Sequence, residues 1–175
     1  MQKILVVVDM QNDFITGALG TPEARAIVPA AVKRAREFPG RVLFTRDTHG
    51  EDYLDTQEGK NLPVPHCILG TDGWQICPEL LPYCREEPID KETFGSRKLG
   101  ELLAAADREE KVEEIAFIGV CTDICVISNA MIAKAFLPEA KITVDARACA
   151  GVTKESHRLA LEAMRTCQIR IEGEV

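Results

Sequence analysis

No stretch of this 175-residue chain approaches the ~18 consecutive apolar residues of a membrane span, which excludes a membrane-spanning helix. Low-complexity tracts are missing as well. With 46% hydrophobic and 28% charged residues, the composition is that of a globular chain with ample material for a core, not of a disordered one. Positive charge is in deficit: the formal net charge of −7 argues against a nucleic-acid partner, which calls for a basic face. No CxxC pair occurs among the seven cysteines, and Cys121 and Cys125 have no second pair to join, so a structural zinc cluster is disfavoured. No secretory leader is visible, because the first apolar run, Ile4 to Val8, is only five residues long and stops at Asp9. The thiols are therefore expected to be reduced and the protein cytoplasmic. Histidine is scarce, with three in all, and two of them fall in one segment.

What is present alternates. Short apolar runs at 4–8, 42–45, 87–89, 115–119 and 142–144 read as buried strands, with a sixth candidate at 168–171. Helical patterns lie between them. Pro29 suits a first helical turn, with Val32, Ala35 and Phe38 following on one face. Leu99, Leu102, Leu103 and Ala106 match the helical template, and Asp123 to Phe136 is apolar nearly all round, as in a buried helix. Thr153 is a candidate N-cap for a last helix, with His157 on its surface. The expectation is an α/β fold of three layers, α/β/α, around a mainly parallel sheet of five or six strands. One domain should span residues 1–175, interrupted by an irregular insertion at about 47–88. That insertion holds two histidines, Trp74, two tyrosines and three cysteines, a content suited to the wall of an active site.

Ligands bind beyond the carboxyl ends of strands in open parallel sheets, and that rule gathers four places. They are Asp9 after the first strand, Asp47 and His49 after the second, Lys91 after the third, and Gly119 to Cys125 after the fourth. Cys125 lies at a strand-to-helix corner, where free amides and the helix dipole favour a thiolate and can face a developing oxyanion. A cysteine nucleophile needs a base and a source of positive charge, which Asp9 and Lys91 supply. Each alone also fits a plainer role: Cys125 as a core residue, Asp9 as a turn cap, Lys91 as a solvated charge. Asp47, His49 and His66 form a second group able to ligate a divalent metal, although the same residues also fit a purely structural part.

Asp9-Met10-Gln11-Asn12-Asp13-Phe14, Lys91-x-x-Phe94 and Gly119-Val120-Cys121-Thr122-Asp123-Ile124-Cys125-Val126, three separated motifs in order, resemble the isochorismatase-like cysteine hydrolases. That group includes nicotinamidases, N-carbamoylsarcosine amidases and ureidoacrylate amidases. The resemblance implies a Rossmann-like fold and a triad of Asp9, Lys91 and Cys125. It implies an oxyanion hole from the amides of Cys121 and Cys125, a cis peptide bond between Val120 and Cys121, and a thioester intermediate. Phe14 would line the substrate pocket. Family members more usually carry Ala where Cys121 stands, and the second thiol could be inert or could trap the nucleophile as a disulfide. Asp47-Thr48-His49 and Pro65-His66-Cys67 resemble the metal-binding segments of the nicotinamidase branch, with zinc the expected ion and iron or manganese also accepted by such donors. Pro63 stands where that branch carries a pocket tryptophan, so Trp74 and Tyr53 are the candidate replacements. The expected function is hydrolysis of nicotinamide or a similar small heteroaromatic amide. The alternatives are another small amide or ureido compound as substrate, or a non-catalytic small-ligand binder. Homo-oligomers, dimers or tetramers, are the family's habit.

Overall fold

Strands buried on both faces read as unbroken apolar runs, because helices cover each side of a parallel sheet. In the computed structural model, which describes residues 1–173, the strands are β1 (Gln2–Val8), β2 (Arg41–Asp47), β3 (Ile89–Lys91), β4 (Val112–Val120), β5 (Lys141–Ala150) and β6 (Arg170–Glu172). All pair in parallel, in the order β3-β2-β1-β4-β5-β6. The helices are α1 (Asn12–Ile15), α2 (Pro22–Glu37), α3 (Gln57–Asn61), α4 (Arg97–Glu109), α5 (Ile127–Phe136) and α6 (Lys154–Thr166). Among the described residues no helix is long and apolar enough to cross a membrane.

Side chains of β1 alternate between two cores. Ile4, Val6 and Val8 join Leu99 and Leu103 of α4, Ala130 and Ala133 of α5, and Leu161 and Met164 of α6. Leu5 and Val7 face Ile27, Val28 and Ala31 of α2, with Ile76 and Leu80 from the long connection after β2. The chain winds outward from β1 in one direction and from β4 in the other, so the crevice between their carboxyl ends is the switch point where such sheets bind ligands.

Several sequence expectations shift. Pro29 does not open a helix. Pro22 does, capped by Thr21, whose Oγ1 accepts the Ala24 N–H at 3.0 Å. Pro29 sits inside α2 on its exposed side, where the helix hydrogen bond that proline cannot donate is least costly to lose. The helix expected from Asp123 begins instead with a wide five-residue π turn, Thr122–Val126, and α5 follows at Ile127. The insertion is less irregular than its composition suggests, with 3₁₀ turns at Tyr53–Asp55 and Leu81–Tyr83 and helix α3 between them. Thr153 does cap α6, in a reciprocal box with Ser156. His157 is not a surface residue: it is half-buried, with Nδ1 at 2.7 Å from Thr122 Oγ1.

Candidate active site

The last residue of an apolar strand is where a buried carboxylate can be held without disturbing the core. Asp9 follows β1 directly, fully buried, with a left-handed backbone (φ 49°) that Asp tolerates better than most residues. Thr45 of β2 holds it, its hydroxyl donating to Asp9 Oδ1 at 2.6 Å while the Asp9 N–H reaches Thr45 Oγ1 at 3.2 Å. Lys91, the last residue of β3, crosses under the site. Its Nζ lies 2.7 Å from Asp9 Oδ2, 3.1 Å from Asp47 Oδ1 and 3.5 Å from Cys125 Sγ, and it donates to the Thr93 carbonyl at 3.2 Å. The contact with Asp9 is the shortest of these, an ion pair buried on both sides.

Cys125 is carried by the π turn between β4 and α5. Gly119, at φ 118°, lets β4 pass close to the Val8 carbonyl before that turn, and the Val120–Cys121 peptide is cis, as the resemblance implies. One turn into α5, the fully buried Asn129 donates to the Cys125 carbonyl at 2.8 Å and the Phe94 carbonyl at 3.0 Å, and accepts the Ser96 N–H at 2.9 Å. It thereby ties the turn that carries Cys125 to the segment that follows Lys91.

Electrostatics among these buried groups are set by the Lys91 cation among several acids. Burial pushes the Asp9 carboxyl up, against the pull of the Lys91 charge. Burial likewise lifts the Cys125 thiol well above its ordinary value, helped by the Asp9 charge and opposed by Lys91. Desolvation works against the Lys91 ammonium, but Asp9, Cys125 and Asp47 hold it charged, well above the usual lysine range. The cysteine and the aspartate therefore sit poised to share a proton beside a fixed positive charge.

Asp47 links this triad to a second cluster. Burial would raise its carboxyl, yet hydrogen bonds from His49 and His66 and the Lys91 charge hold it well below the usual carboxylate range. Its Oδ2 lies 2.9 Å from His49 Nε2 and 3.4 Å from His66 Nε2, and Glu58 of α3 brings Oε1 to 3.7 and 3.8 Å from the same two nitrogens. These four donor atoms all lie within 4.8 Å of one another. Val64 accepts from His66 Nδ1 at 2.8 Å, which fixes the ring with Nε2 inward, as metal-binding histidines require. Gln11 clamps the Asp47 backbone from both sides, accepting its N–H and donating to its carbonyl at 2.8 Å. Two imidazoles and two carboxylates, all buried except the partly exposed Glu58, converge and fit a divalent ion such as zinc.

The remaining expected residues divide. Phe14 is half-buried and sets its ring edge-on to His66, 5.6 Å between centroids. Tyr53 is fully buried behind the cluster, packed against both His49 and His66, with its hydroxyl donating to the Leu62 carbonyl. Trp74 stacks under the Arg46 guanidinium at 3.7 Å and donates its indole N–H to Thr48 Oγ1. Cys121 is half-buried, its thiol pushed up to about 12 by burial and the charges of Asp123 and Asp9. The sequence reading missed Glu58, Thr45, Asn129 and Gln11. The Thr56-x-x-Gly59 spacing, an N-cap pattern in which Thr56 Oγ1 accepts the Gly59 N–H, was the available sign of the short helix that delivers Glu58.

Comparison with known proteins agrees with this geometry. Residues 3–172 match the sequence model of the Isochorismatase domain. An isochorismatase family protein of Bacillus subtilis (strain 168) is 31% identical, covering 92% of this chain and 93% of its own. A nicotinamidase/pyrazinamidase of Mycobacterium tuberculosis is 29% identical, covering 97% of each chain. Among solved structures, the pyrazinamidase of Pyrococcus horikoshii in complex with zinc superimposes with a TM-score of 0.81 at 29% identity, covering 98% of each chain.

Proposed function

The chain belongs to the isochorismatase family of hydrolases, and from that premise we propose that it is a cysteine-dependent amidohydrolase converting nicotinamide, or a similar small heteroaromatic amide, to its acid and ammonia. The observation that carries the reading is Lys91 Nζ, 2.7 Å from Asp9 and 3.5 Å from Cys125 Sγ, which touches a four-donor cluster through Asp47. Asp9 Oδ2 takes the thiol proton as Sγ attacks the amide carbonyl, and Lys91 offsets the charge left on sulfur. A C–S bond forms while the carbonyl electrons move to oxygen, where the backbone amides of Cys121 and Cys125 receive them. On collapse the C–N bond breaks, and the nitrogen takes the proton from Asp9 and leaves as ammonia. Water then gives a proton to Asp9 and attacks the thioester, the C–S bond breaks, and the sulfur recovers that proton. Asp47, His49, His66 and Glu58 would hold the divalent ion, which when bound supplies a Lewis acid for the ring nitrogen of the substrate. Phe14 borders the ring, while Tyr53 and Trp74 act through the residues they brace.

Pro63, in place of an aromatic wall, supports a second reading in which the same triad cleaves another small amide or ureido compound. Ammonia release from nicotinamide by zinc-loaded protein, with Cys125→Ala as control, separates the two. Turnover lost in the variant is the expected result. No turnover from folded, metal-loaded wild type would remove nicotinamide as substrate and leave the second reading.

A further inference from the structure

Asp9 has two carboxylate oxygens, and a base that works on one thiol should present only one of them. We propose that Thr45 is the positioning residue that makes this choice, directing the exchangeable proton to Asp9 Oδ2. The inference rests on the reading of Asp9, Lys91 and Cys125 as amidase machinery. It goes beyond that reading by assigning a role to a side chain that touches neither the thiol nor the metal-binding cluster in any contact described above.

Hydrogen-bond polarity carries the argument. A threonine hydroxyl has one hydrogen and two lone pairs. The Asp9 N–H is shared between Thr45 Oγ1, at 3.2 Å, and the Thr45 carbonyl, at 3.3 Å, and it engages a lone pair of Oγ1, since an amide can only donate. The hydroxyl hydrogen is then free to go to Asp9 Oδ1, at 2.6 Å, the length of a strong bond to an ionised acceptor. With that hydrogen in place, one of the two lone pairs of Oδ1 is already engaged. A proton arriving at Asp9 is thereby steered to Oδ2, the oxygen that carries no hydroxyl partner and lies 2.7 Å from the ammonium that also contacts Cys125 Sγ. Thr45 itself is fully buried, so water cannot replace its hydroxyl. The same side chain fixes the rotation of the carboxylate and the side from which it exchanges its proton. The leaving nitrogen therefore meets the proton where the thiol gave it up.

Thr45→Val keeps the branched shape and strand preference while deleting the hydroxyl, and Thr45→Ser keeps the hydroxyl while deleting the methyl. Two readouts are taken on zinc-loaded protein: kcat and KM for nicotinamide, and the rate of Cys125 alkylation by iodoacetamide, followed by mass spectrometry. The expected result for Thr45→Val is a fall of about 10- to 100-fold in kcat and in alkylation rate, the scale of one hydrogen bond to a charged group, with KM within about twofold. Thr45→Ser should recover most of both. A valine variant that alkylates at the wild-type rate would overturn the inference, as would a serine variant that falls as far as valine. Alkylation needs no amide substrate, so failure of the nicotinamide reading would show as absent turnover with the alkylation contrast intact.

Discussion

Replacing Lys91 with methionine, which keeps most of the chain and removes the charge, exposes how the site is held together. The lysine is 4% exposed, and its ammonium lies within 3.1 Å of both Asp9 and Asp47, so solvent cannot take over its role. Deleting one member of a buried charged set leaves its partners uncompensated, at a cost of about 3–5 kcal/mol. Against a total stability of roughly 5–15 kcal/mol that is a large fraction, and for a chain of this length it corresponds to a Tm lowered by about 6–20 °C. The deficit has a pH signature. In the variant the Asp9 carboxyl, already raised by burial, loses the cation that opposes the rise, while His49 and His66 still hold Asp47 down, so the folded state binds a proton at Asp9 that the unfolded state releases, and the loss should shrink as pH falls from 7 toward 5. Adding Asp9→Asn to the variant removes one of the two stranded charges and should return part of the stability. The assay is thermal unfolding of the metal-free proteins from pH 5 to 8. A Lys91→Met protein within about 2 °C of wild type across that range would refute the account of a buried cation holding two acids.

Two further substitutions test separate parts of the structure. Glu58→Gln should weaken zinc binding by at least the ~10- to 100-fold that loss of an outer-shell partner costs, without lowering the metal-free Tm, because burial and the nearby Asp47 charge already disfavour its carboxylate. Zinc titration by competition with a chelating dye measures this, and an unchanged affinity would show that Glu58 is not a ligand. Gly119→Ala adds a Cβ at φ 118° that would run into the Val8 carbonyl, so denaturant unfolding should show a loss of about 3 kcal/mol or more. A loss under about 1 kcal/mol would mean that β1 and β4 can separate at no great cost.

Much of this architecture was legible because period and chemistry agree. Ile4 to Val8 and Ile115 to Gly119 could only be buried strands, and both end at groups that chemistry would want at a sheet's carboxyl edge. Asp9, Lys91 and Cys125 were found by that convergence, although no local feature of Lys91 distinguishes it from a surface lysine. The boundaries were less legible. β5 runs to Ala150, six residues past the expected Val144, because Asp145 and Arg147 interrupt its apolar run while its end still pairs with β4 at Cys149 and Ala150. Pro29 misled because a proline on a solvent-facing turn is tolerated where one facing a neighbour would not be. Glu58 was hidden because a five-residue helix has too few positions to show a period, and its carboxylate meets His66 only through tertiary folding. Asn129 and Thr45 look like incidental polar residues in apolar segments, and only their buried partners reveal what they hold.

The central claim, that Cys125 forms a covalent acyl intermediate, is tested most directly by rapid acid quench during turnover of nicotinamide, followed by peptide mass spectrometry. The account predicts an acyl group on the Cys125 peptide, released by hydroxylamine and absent from Cys125→Ala. An acyl group found instead on Cys121, or steady turnover that survives Cys125→Ala, would contradict it.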